Sequence, residues 1–500
     1  MKKIFTSVFV LVVLLGGQMA QADSFLTEAQ MPHGEKYLPA PPDYSDLRYF
    51  NDWYSYNWGK LQRPSARGQQ VVADASTSIS YFCSTFTPAM GITISSSATP
   101  EIYNLLSKAR SDGNTAANTI KRYYMKTRPF MKFDEPTSLP SSESSLRTNG
   151  SYPSGHTAQG WTLALILAEI NPYRQDTILS RGYQYAQSRV IGGFHWQSDV
   201  DAGRCIASAA VARLHANPSF MAQLQKAKDE FARISGKVSQ PALDQVGFAS
   251  AEHFLPNPPD TASQRFVGDW TMYIWGKAMR KTARGTQANN DAKLAPIYLC
   301  KHFTAAFGST LSLSATPKAY ALMAKIRTSV MEAGESVRAK YMRKRPYVQF
   351  CDVTSISGSE KTEASTTSYV SAYAGIGWAV ALALAEINTD RQDTLLSCGY
   401  QIGQSPIITG YHYLSDVECG RVVGMTTMAR LHADPEFMTL LEEAKNEYLS
   451  VNGVSQPAAA YPQDNTGIFN VQGMKVTEED MNQHPGQIYI RQGEKVIQRK

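Results

Sequence analysis

Three features are scarce in this sequence of 500 residues, and each absence excludes a class of protein. Alternating apolar and polar residues are rare, whereas apolar spacing of three and four residues dominates, so the sequence predicts an all-α fold. A dense stripe of Lys and Arg with interleaved aromatics is missing, so no nucleic acid partner is expected. The apolar runs at 161–170 and 378–387 are too short to span a bilayer, which favours buried core helices over an integral membrane protein.

The charge and the N-terminus point to an exported protein that handles small anions. The net charge of +6 is modest for this length and suits anionic small molecules. Residues 1–22 are typical of a secretory signal: Lys2 and Lys3 precede a short apolar stretch, and Ala20-Gln21-Ala22 fits the small-x-small cleavage rule. We therefore expect the mature chain to begin at Asp23. An uncleaved membrane anchor is the alternative, and the shortness of the apolar stretch disfavours it.

An internal repeat organises the rest of the chain. Residues 38–216 superimpose without a gap on residues 255–433, a shift of 217 positions. Leu38-Pro39-Ala40-Pro41-Pro42, for example, falls on Leu255-Pro256-Asn257-Pro258-Pro259. A unit of this length is far longer than a solenoid repeat, so each copy is expected to fold as its own domain.

The repeat predicts three regions after the signal segment. A first domain covers 23–240, a second covers 241–457, and a polar tail covers 458–500. The tail contains two hairpin-like pieces, around Gly473 and Gly493. Residues that both copies keep are candidates for maintaining the fold, and residues that one copy keeps are candidates for chemistry.

Six cysteines are an even number, and export would allow disulfides. Cys83 and Cys300 occupy equivalent positions in the repeat. Cys205 has no cysteine at its equivalent position, but Cys419 lies one helical turn away from it. We therefore expect the pairs Cys83–Cys205 and Cys300–Cys419, although fifteen pairings are possible for six cysteines.

The first of three chemically suggestive segments contains Lys121 and Arg128. Seven positions separate them, so on one helix they would share a face. Pro129 disfavours helical geometry for the residue before it, so Arg128 is expected at a helix end. Together the planar guanidinium of Arg128 and the ammonium group of Lys121 could bind two oxygens of a phosphate. Taken alone, the pair is weak evidence, because most such pairs are simply solvated.

The second segment contains Ser154, Gly155 and His156, just before the apolar helix that includes Trp161. Backbone N–H groups at a helix start attract anions, and Gly155 allows an oxyanion to approach the backbone closely. The Ser154 hydroxyl adds a donor, and His156 is placed to protonate a leaving oxygen. The alternative is a helix cap beside an incidental histidine.

The third segment contains Arg189, His195 and Asp199. If a helix begins at His195, Asp199 lies one turn further on, where its carboxylate could fix the imidazole tautomer and leave the other ring nitrogen as a nucleophile. Arg189 adds a third cation. A histidine with a nearby aspartate is more often structural, so the interpretation depends on all three segments together.

Together the three segments resemble the signature of the vanadium-haloperoxidase-like phosphatases, the type 2 phosphatidic acid phosphatase superfamily. The matching motifs are Lys121-x6-Arg128-Pro129, Pro153-Ser154-Gly155-His156 and Ser188-Arg189-x5-His195-x3-Asp199. The octapeptide Gly150 to Thr157 narrows the resemblance to bacterial class A non-specific acid phosphatases. This resemblance implies an all-α fold, hydrolysis of phosphomonoesters without metal or cofactor, and a periplasmic location.

The resemblance also implies a role for each residue of the signature. The catalytic group is His195 as the nucleophile that forms a phosphohistidine, Asp199 as its orienting partner, and His156 as the acid and base. The phosphate-binding group is Lys121, Arg128, Ser154, Gly155 and Arg189. The same residues would serve a phosphotransferase, which remains an alternative. A vanadate-dependent haloperoxidase is a second alternative, and the octapeptide argues against it. A non-catalytic phosphate-binding protein would suit the second copy better than the first, whose set of residues is complete.

The second copy retains only part of this set. At the positions of Lys121, Gly155, His156, Arg189, His195 and Asp199 it has Arg338, Ala372, Tyr373, Pro406, His412 and Asp416. Tyr373 is a poor proton donor at acidic pH because its unperturbed pKa lies near about 10. We expect the second copy to be catalytically inactive, to bind phosphate weakly through its remaining cations, and to pack on the first copy as an intramolecular pseudo-dimer.

Overall fold

The computed structural model describes residues 24–236, 242–356 and 358–452, together with four short strands between Ile468 and Ile497. The predicted signal segment at 1–22 lies outside the described residues. Helices dominate the described chain, which confirms the predicted all-α fold. In these ranges, none of the helices combines the length and the apolar character that crossing a membrane requires.

The helices follow the same order in both halves of the chain. Those of the first half are α1 (Tyr49–Gln62), α2 (Ala66–Ala73), α3 (Ile79–Met90), α4 (Pro100–Tyr124), α5 (Pro129–Phe133), α6 (Glu143–Leu146), α7 (Gly155–Ile170), α8 (Gln175–Ile191), α9 (Gln197–His215) and α10 (Pro218–Ser235). Those of the second half are α11 (Phe266–Met279), α12 (Ala283–Asp291), α13 (Pro296–Phe307), α14 (Pro317–Ala333), α15 (Glu335–Lys340), α16 (Pro346–Gln349), α17 (Glu360–Glu363), α18 (Ala372–Ile387), α19 (Gln392–Thr409), α20 (Leu414–His432) and α21 (Pro435–Val451). Each helix from α1 to α10 has a counterpart that begins 217 residues later, and the counterpart of α4 is divided at Gly334 into α14 and α15.

Helix α7 forms the centre of the first half. Its sequence is apolar around the whole circumference, which is typical of a helix buried on all sides, and every residue of α7 except His156 is buried. Helices α4, α8 and α9 pack around it. The approach of α8 requires a glycine, because a Cβ atom at Gly160 would lie 2.4 Å from the ring of Tyr185. Helix α18 has the equivalent central place in the second half.

The two halves contact each other through reciprocal hydrogen bonds. The backbone N–H of His33 donates to the carboxylate of Asp393, at 2.9 Å. Ser250 lies 217 positions after His33, and its N–H donates to Asp176, also at 2.9 Å. Asp393 is in turn the repeat equivalent of Asp176. Each half therefore receives the N-terminal segment of the other on the same face of an equivalent helix.

Equivalent residues also meet directly. His215 stacks on His432, which lies 217 positions later, with ring centroids 3.8 Å apart. Trp378 of α18 donates its indole N–H to the Ser208 hydroxyl of α9, at 3.0 Å. Both halves belong to one compact unit that extends to Lys445. The boundary expected between 240 and 241 is not a break between compact units, and the division into two domains stays a prediction.

The C-terminal residues from Asn446 onward form a second compact unit. Its strands are β1 (Ile468–Asn470), β2 (Lys475–Val476), β3 (Ile488–Arg491) and β4 (Glu494–Ile497), in the sheet order β2-β1-β3-β4. All neighbouring strands are antiparallel. Strands β1 and β2 flank Gly473 and strands β3 and β4 flank Gly493, so both predicted hairpins are confirmed.

Both predicted disulfides are wrong, because all six cysteines are free. Cys83 lies on α3, which packs against α4 and α8, whereas Cys205 on α9 lines a cavity between the two halves. Cys300 lies on α13, whereas the Sγ atom of Cys419 accepts a hydrogen bond from the Tyr369 hydroxyl at 3.2 Å. Helical spacing showed that Cys205 and Cys419 occupy similar positions along their helices, but it does not determine which residues the cysteine side chains face.

Candidate active site

His195 and Asp199 lie in the buried interior at the start of α9. The Nδ1 atom of His195 faces the Oδ2 atom of Asp199 at 3.3 Å. The backbone N–H of Trp196 donates to the same oxygen at 2.9 Å, and the Ser151 hydroxyl also donates to it. The carboxylate therefore fixes Nδ1 as the protonated ring nitrogen and leaves the lone pair on Nε2.

Arg128 lies at the N-terminus of α5, against this lone pair. Its Nη1 atom is 3.1 Å from Nε2 of His195 and donates to the Phe194 carbonyl at 2.9 Å. A guanidinium donates hydrogen bonds and cannot accept them, so Nε2 must be the acceptor. Burial, followed by the nearby charge of Arg128, lowers the pKa of His195 well below its usual value. Burial and the adjacent guanidinium therefore favour the neutral form of the imidazole, which keeps a lone pair on Nε2.

Lys121 and Arg128 do not share a helix face, so that part of the sequence interpretation is wrong. Helix α4 ends because Met125 adopts a left-handed conformation with φ of 44°, and the chain turns before Arg128. The two cations nevertheless converge, since Nζ of Lys121 and Nη2 of Arg128 donate to the Gly150 carbonyl at 2.6 and 3.3 Å. Burial and the neighbouring arginine lower the pKa of Lys121 well below its usual value.

The start of α7 brings Ser154 and Gly155 to the same place. The Ser154 side chain caps the helix by accepting a hydrogen bond from the Thr157 N–H at 3.3 Å. The Ser154 N–H donates to the backbone carbonyl of Asp199 at 2.8 Å, which ties the start of α7 to the start of α9. A Cβ atom at Gly155 would lie 3.5 Å from Cε of Lys121, an ordinary contact, so the fold itself has room for a side chain here.

Arg189 is buried near the end of α8, and its guanidinium is poorly satisfied. Its Cζ atom lies 3.9 Å from the centroid of the Phe194 ring. Within the described ranges, its Nε and Nη1 atoms have no hydrogen-bond partner. Burial lowers the pKa of Arg189 to about 9, which still leaves the group charged in acid. Unpaired donors on a buried cation are costly, so this position is suited to an anion.

His156 is the one residue of α7 that is not fully buried. Its Nε2 atom lies 3.0 Å from the Ala75 carbonyl, and its ring stacks on Tyr185 at 6.4 Å between centroids. The carbonyl requires a proton on Nε2, which leaves Nδ1 as the nitrogen that gains or loses a proton. Burial, followed by the charge of Arg189, lowers the pKa of His156 well below its usual value.

Sequence reasoning missed the groups that support Asp199. Lys126 lies with its Nζ atom 3.2 Å from Oδ1 of Asp199 and 3.0 Å from Oδ2 of Asp52, a buried residue of α1. Ser151 donates to the opposite oxygen of Asp199. The repeat contained a signal for these groups, because Asp52 is kept as Asp269 in the second copy. All eight predicted site residues are brought together in the first half, where His156 is partly buried and the other seven are buried.

Glu169, His215 and His432 form the one group in the described part of the chain whose ligand atoms are close enough to hold a metal ion. Glu169 lies at the C-terminal end of α7, opposite the end that carries Gly155. Lys228 already donates to Glu169 at 2.8 Å. The cluster is therefore separate from the candidate active site, and its carboxylate charge is already balanced by an ammonium group.

Comparison with known proteins identifies the family. Residues 105–220, which contain all eight predicted site residues, match the PAP2 superfamily. The chain is 46% identical over 211 residues to a non-specific acid phosphatase of Providencia stuartii, which covers 42% of this chain and 85% of that protein. It is 42% identical over 207 residues to a non-specific acid phosphatase of Salmonella typhimurium, covering 41% of this chain and 83% of that protein. An acid phosphatase of Zymomonas mobilis is 30% identical over 236 residues, 46% of this chain and 89% of that protein.

The chain belongs to the non-specific acid phosphatases of the PAP2 superfamily. It is therefore an enzyme of the phosphoric monoester hydrolase class. The relatives account for less than half of this chain, so the acid phosphatase has roughly the length of two such proteins.

The second half of the acid phosphatase keeps the contact between an arginine and the equivalent histidine, but its cations have different partners. Arg345, the counterpart of Arg128, lies 3.1 Å from Nε2 of His412, as its counterpart does from His195. Arg345 also forms an ion pair with Glu363 at 2.7 Å, and the residue at the equivalent first-half position is Leu146. The carboxylate therefore already occupies the donors that Arg345 could offer to an anion.

The counterpart of Lys121 has left the site altogether. Arg338 lies on the separate helix α15 and donates to Glu335 at 3.0 Å and to the Met331 carbonyl. A cavity of about 250 Å³ lies beside Arg345 and is also lined by Pro406 and Tyr373, at the positions of Arg189 and His156. Weak phosphate binding was expected from the remaining cations. However, Arg338 is turned away from the site, and Arg345 is paired with Glu363.

Proposed function

We propose that the first half hydrolyses phosphate monoesters through a phosphohistidine on His195, without a metal ion. Arg189 carries this proposal, because it is a buried guanidinium with two donor atoms that no described residue satisfies. Lys121 and Arg128 lie close to Arg189. After burial, the charges of the two arginines lower the pKa of Lys121 and also the pKa of His156. Three buried cations around one neutral imidazole favour a dianionic phosphoryl group at this place.

The first chemical step forms a phosphorus–nitrogen bond. When the ester is bound, Arg128 donates to a phosphoryl oxygen instead of to Nε2 of His195. The lone pair on Nε2 is then free to attack phosphorus, and the bond from phosphorus to the ester oxygen breaks. His156 gives a proton to the departing alkoxide, which leaves as an alcohol. Asp199 stabilises the positive charge that develops on the ring of His195.

The second step reverses these roles. Water attacks phosphorus, the phosphorus–nitrogen bond breaks, and His156 takes the proton that water loses. His156 must therefore carry a proton when the ester is bound. Burial and then the nearby cations lower the pKa of His156, and a dianionic phosphoryl group placed among the same cations would offset their part of the effect and raise the pKa again.

The cationic residues also support hydrolysis without a metal. The phosphoryl transition state spreads negative charge over three equatorial oxygens. Lys121, Arg128 and Arg189, with the Ser154 hydroxyl and the N–H groups at the start of α7, supply positive charge and donors for these oxygens.

We further propose that the second half is an inactive partner packed on the first as a pseudo-dimer, and that the enzyme works in the periplasm. Reciprocal contacts such as His33–Asp393 and Ser250–Asp176 are what a former two-fold interface would leave in one chain. The predicted signal segment at 1–22 and the bacterial relatives favour export to the periplasm.

His195→Ala tests the mechanism, with His412→Ala as the matched control. Both enzymes are assayed on a phosphomonoester with a chelator present, and phosphoenzyme is trapped by rapid denaturation with a labelled substrate. We expect His195→Ala to lose activity and the acid-labile label, and His412→Ala to retain both. Full activity of His195→Ala, or loss of wild-type activity with chelator, would overturn the proposal.

A further inference from the structure

Lys126 lies in a buried polar network behind the proposed nucleophile. Its Nζ atom is 3.0 Å from Oδ2 of Asp52, 3.0 Å from the Ser198 hydroxyl and 3.2 Å from Oδ1 of Asp199. Its side chain is 10% exposed, and both carboxylates are fully buried. Asp52 is held in turn by the N–H and the hydroxyl of Ser198, at 2.7 and 2.6 Å.

The network joins Asp199 to α1 through the carboxylate oxygen that does not face the His195 ring. The three donors to Oδ2 of Asp199 are the His195 ring, the Trp196 N–H and the Ser151 hydroxyl. Lys126 supplies the contact to the other oxygen, so it sets the direction of the carboxylate plane. The plane of the carboxylate in turn sets the direction of the His195 ring.

The second half contains the same network with an arginine in place of the lysine. Arg343 forms ion pairs with Asp269 and Asp416, the counterparts of Asp52 and Asp199. Its Nη1 atom lies 2.8 Å from the hydroxyl of Ser415, the counterpart of Ser198. A cation between the two carboxylates is therefore common to both halves, whether or not the half carries the complete set of site residues.

We propose that Lys126 is a positioning residue for the reaction: by bridging Asp52 and Asp199 it keeps Asp199 ionised and oriented, so that Asp199 holds His195 with Nε2 toward phosphorus. This inference rests on the proposed function, in which His195 is the nucleophile. Lys126 itself has no contact with the Nε2 side of the ring, so it is expected to act through Asp199.

Removing the cation would leave two buried carboxylates with like charges close together. The charge of Asp199 already adds to burial in raising the pKa of Asp52. Without Lys126, one of the two would keep a proton to pH values where both are now ionised. A protonated Asp199 is a poor acceptor for the Nδ1 proton of His195, and the ring would lose its orientation. The charged or titratable groups that act on Asp199 besides Lys126 are Asp52, Lys121, Arg128, Tyr152 and His195.

The test compares Lys126→Met with its matched variant Arg343→Met in the full-length enzyme. We expect kcat of Lys126→Met to fall about 10- to 100-fold with KM little changed, and the acidic limb of its kcat profile to move to higher pH. Arg343→Met removes the equivalent cation from the second half, so its kcat and pH profile should match the wild type. Thermal unfolding should show a similar destabilisation in both variants, which separates the catalytic effect from the structural one.

Lys126→Arg is the rescue variant, because Arg343 already bridges an equivalent pair of carboxylates. We expect it to recover most of the lost kcat and the wild-type pH profile. If Lys126→Met does not fold, Lys126→Gln keeps a hydrogen-bond donor without the charge and should show the same displacement of the acidic limb.

Two outcomes separate this inference from the proposed function. If His195→Ala is inactive while Lys126→Met and Lys126→Gln keep the wild-type kcat and pH profile, the positioning role is wrong and the phosphohistidine mechanism stands. If His195→Ala stays active, the mechanism itself is wrong, and the role of Lys126 falls with it.

Discussion

In the first half, Arg128 contacts His195 and donates its other hydrogen bonds to backbone carbonyls. In the second half, Arg345 contacts His412 in the same way, but Glu363 neutralises its charge. Within the described ranges, Nε and Nη1 of Arg189 have no hydrogen-bond partner in the first half, and proline occupies the equivalent position in the second. The same succession of helices therefore supports one site with excess positive charge and one without it.

The comparison separates contacts that maintain the fold from contacts that the fold does not need. Arg67 donates to the Ser188 hydroxyl at 2.8 Å, and Arg284 donates to Ser405 at 2.9 Å, so this support is present in both halves. Among the described residues, an arginine at the position of Arg189 is found in the first half, and the second half has Pro406 there. Burying a charge without a partner costs stability, so Arg189 is better explained by a demand for anion binding than by folding.

The largest loss of activity is expected when His156 is replaced, because the second half has Tyr373 at the equivalent position and no imidazole there. His156→Gln keeps a donor for the Ala75 carbonyl but removes the group that changes protonation. We expect kcat to fall about 10²–10⁴-fold, and to fall less for esters whose alcohol is acidic enough to leave without a proton. Steady-state kinetics on a series of aryl and alkyl phosphates measures this. Tyr373→Phe, the variant at the equivalent position, should leave kcat unchanged, and an equal loss for all leaving groups would contradict the role of His156.

A smaller loss of activity, coupled to a gain of stability, is expected for Arg189→Met. Methionine keeps most of the apolar stem and removes the charge. We expect kcat/KM to fall about 10²–10³-fold because a donor to the phosphoryl oxygens is lost. The pKa of Arg189 is lowered by burial to about 9, so the charged form is disfavoured in the folded state, and this cost is fully present at every pH below that value.

Removing that cost should raise the free energy of unfolding by about 1–3 kcal/mol at acidic pH in phosphate-free buffer. Inorganic phosphate should stabilise the wild type and have less effect on Arg189→Met. Denaturant unfolding with and without phosphate measures both quantities. A variant that is less stable than the wild type in phosphate-free buffer would show that Arg189 serves the fold.

The course of the chain was largely predictable from the repeat and from the apolar periodicity. A run such as 161–170, apolar on all sides, leaves few alternatives to a central buried helix. The break after α4 was not predictable, because it depends on a left-handed conformation at Met125, a residue type that gives no local signal for it. The predicted cysteine pairs were wrong for a similar reason. Helical spacing shows on which turn of a helix a cysteine lies, but not which element that turn packs against.

The candidate site was predictable where its residues lie in short motifs. Ser154, Gly155 and His156 are consecutive, and His195 and Asp199 are one helical turn apart, so local geometry was enough to bring each group together. The supporting network was not predictable in this way, because Asp52 and Asp199 lie 147 positions apart in the sequence. Contacts of that range depend on how α1 packs against α9, which periodicity does not determine.

The smallest effect concerns the stacked pair where the halves meet. Nδ1 of His215 lies 2.9 Å from the Val211 carbonyl, and Nε2 lies 2.9 Å from Oε2 of Glu169, so both ring nitrogens face acceptors. Burial opposes a charge on this ring, but Glu169 and the other acceptors raise the pKa of His215 overall. By contrast, Nδ1 of its stacked partner His432 has no hydrogen-bond partner within the described ranges.

A raised pKa in the folded state means that the stability due to His215 is fully present below the unfolded pKa and is lost as pH rises through the folded value. We expect His215→Gln to lower the free energy of unfolding by about 1–3 kcal/mol at acidic pH, and to flatten its decline toward alkaline pH. His432→Gln should cost less, because its ring makes fewer hydrogen bonds. Denaturant unfolding across this pH range measures the slopes, and kcat should not change, since Glu169 lies at the opposite end of α7 from Gly155. An unchanged slope in His215→Gln would assign the pH dependence to other groups and leave the two stacked rings equivalent.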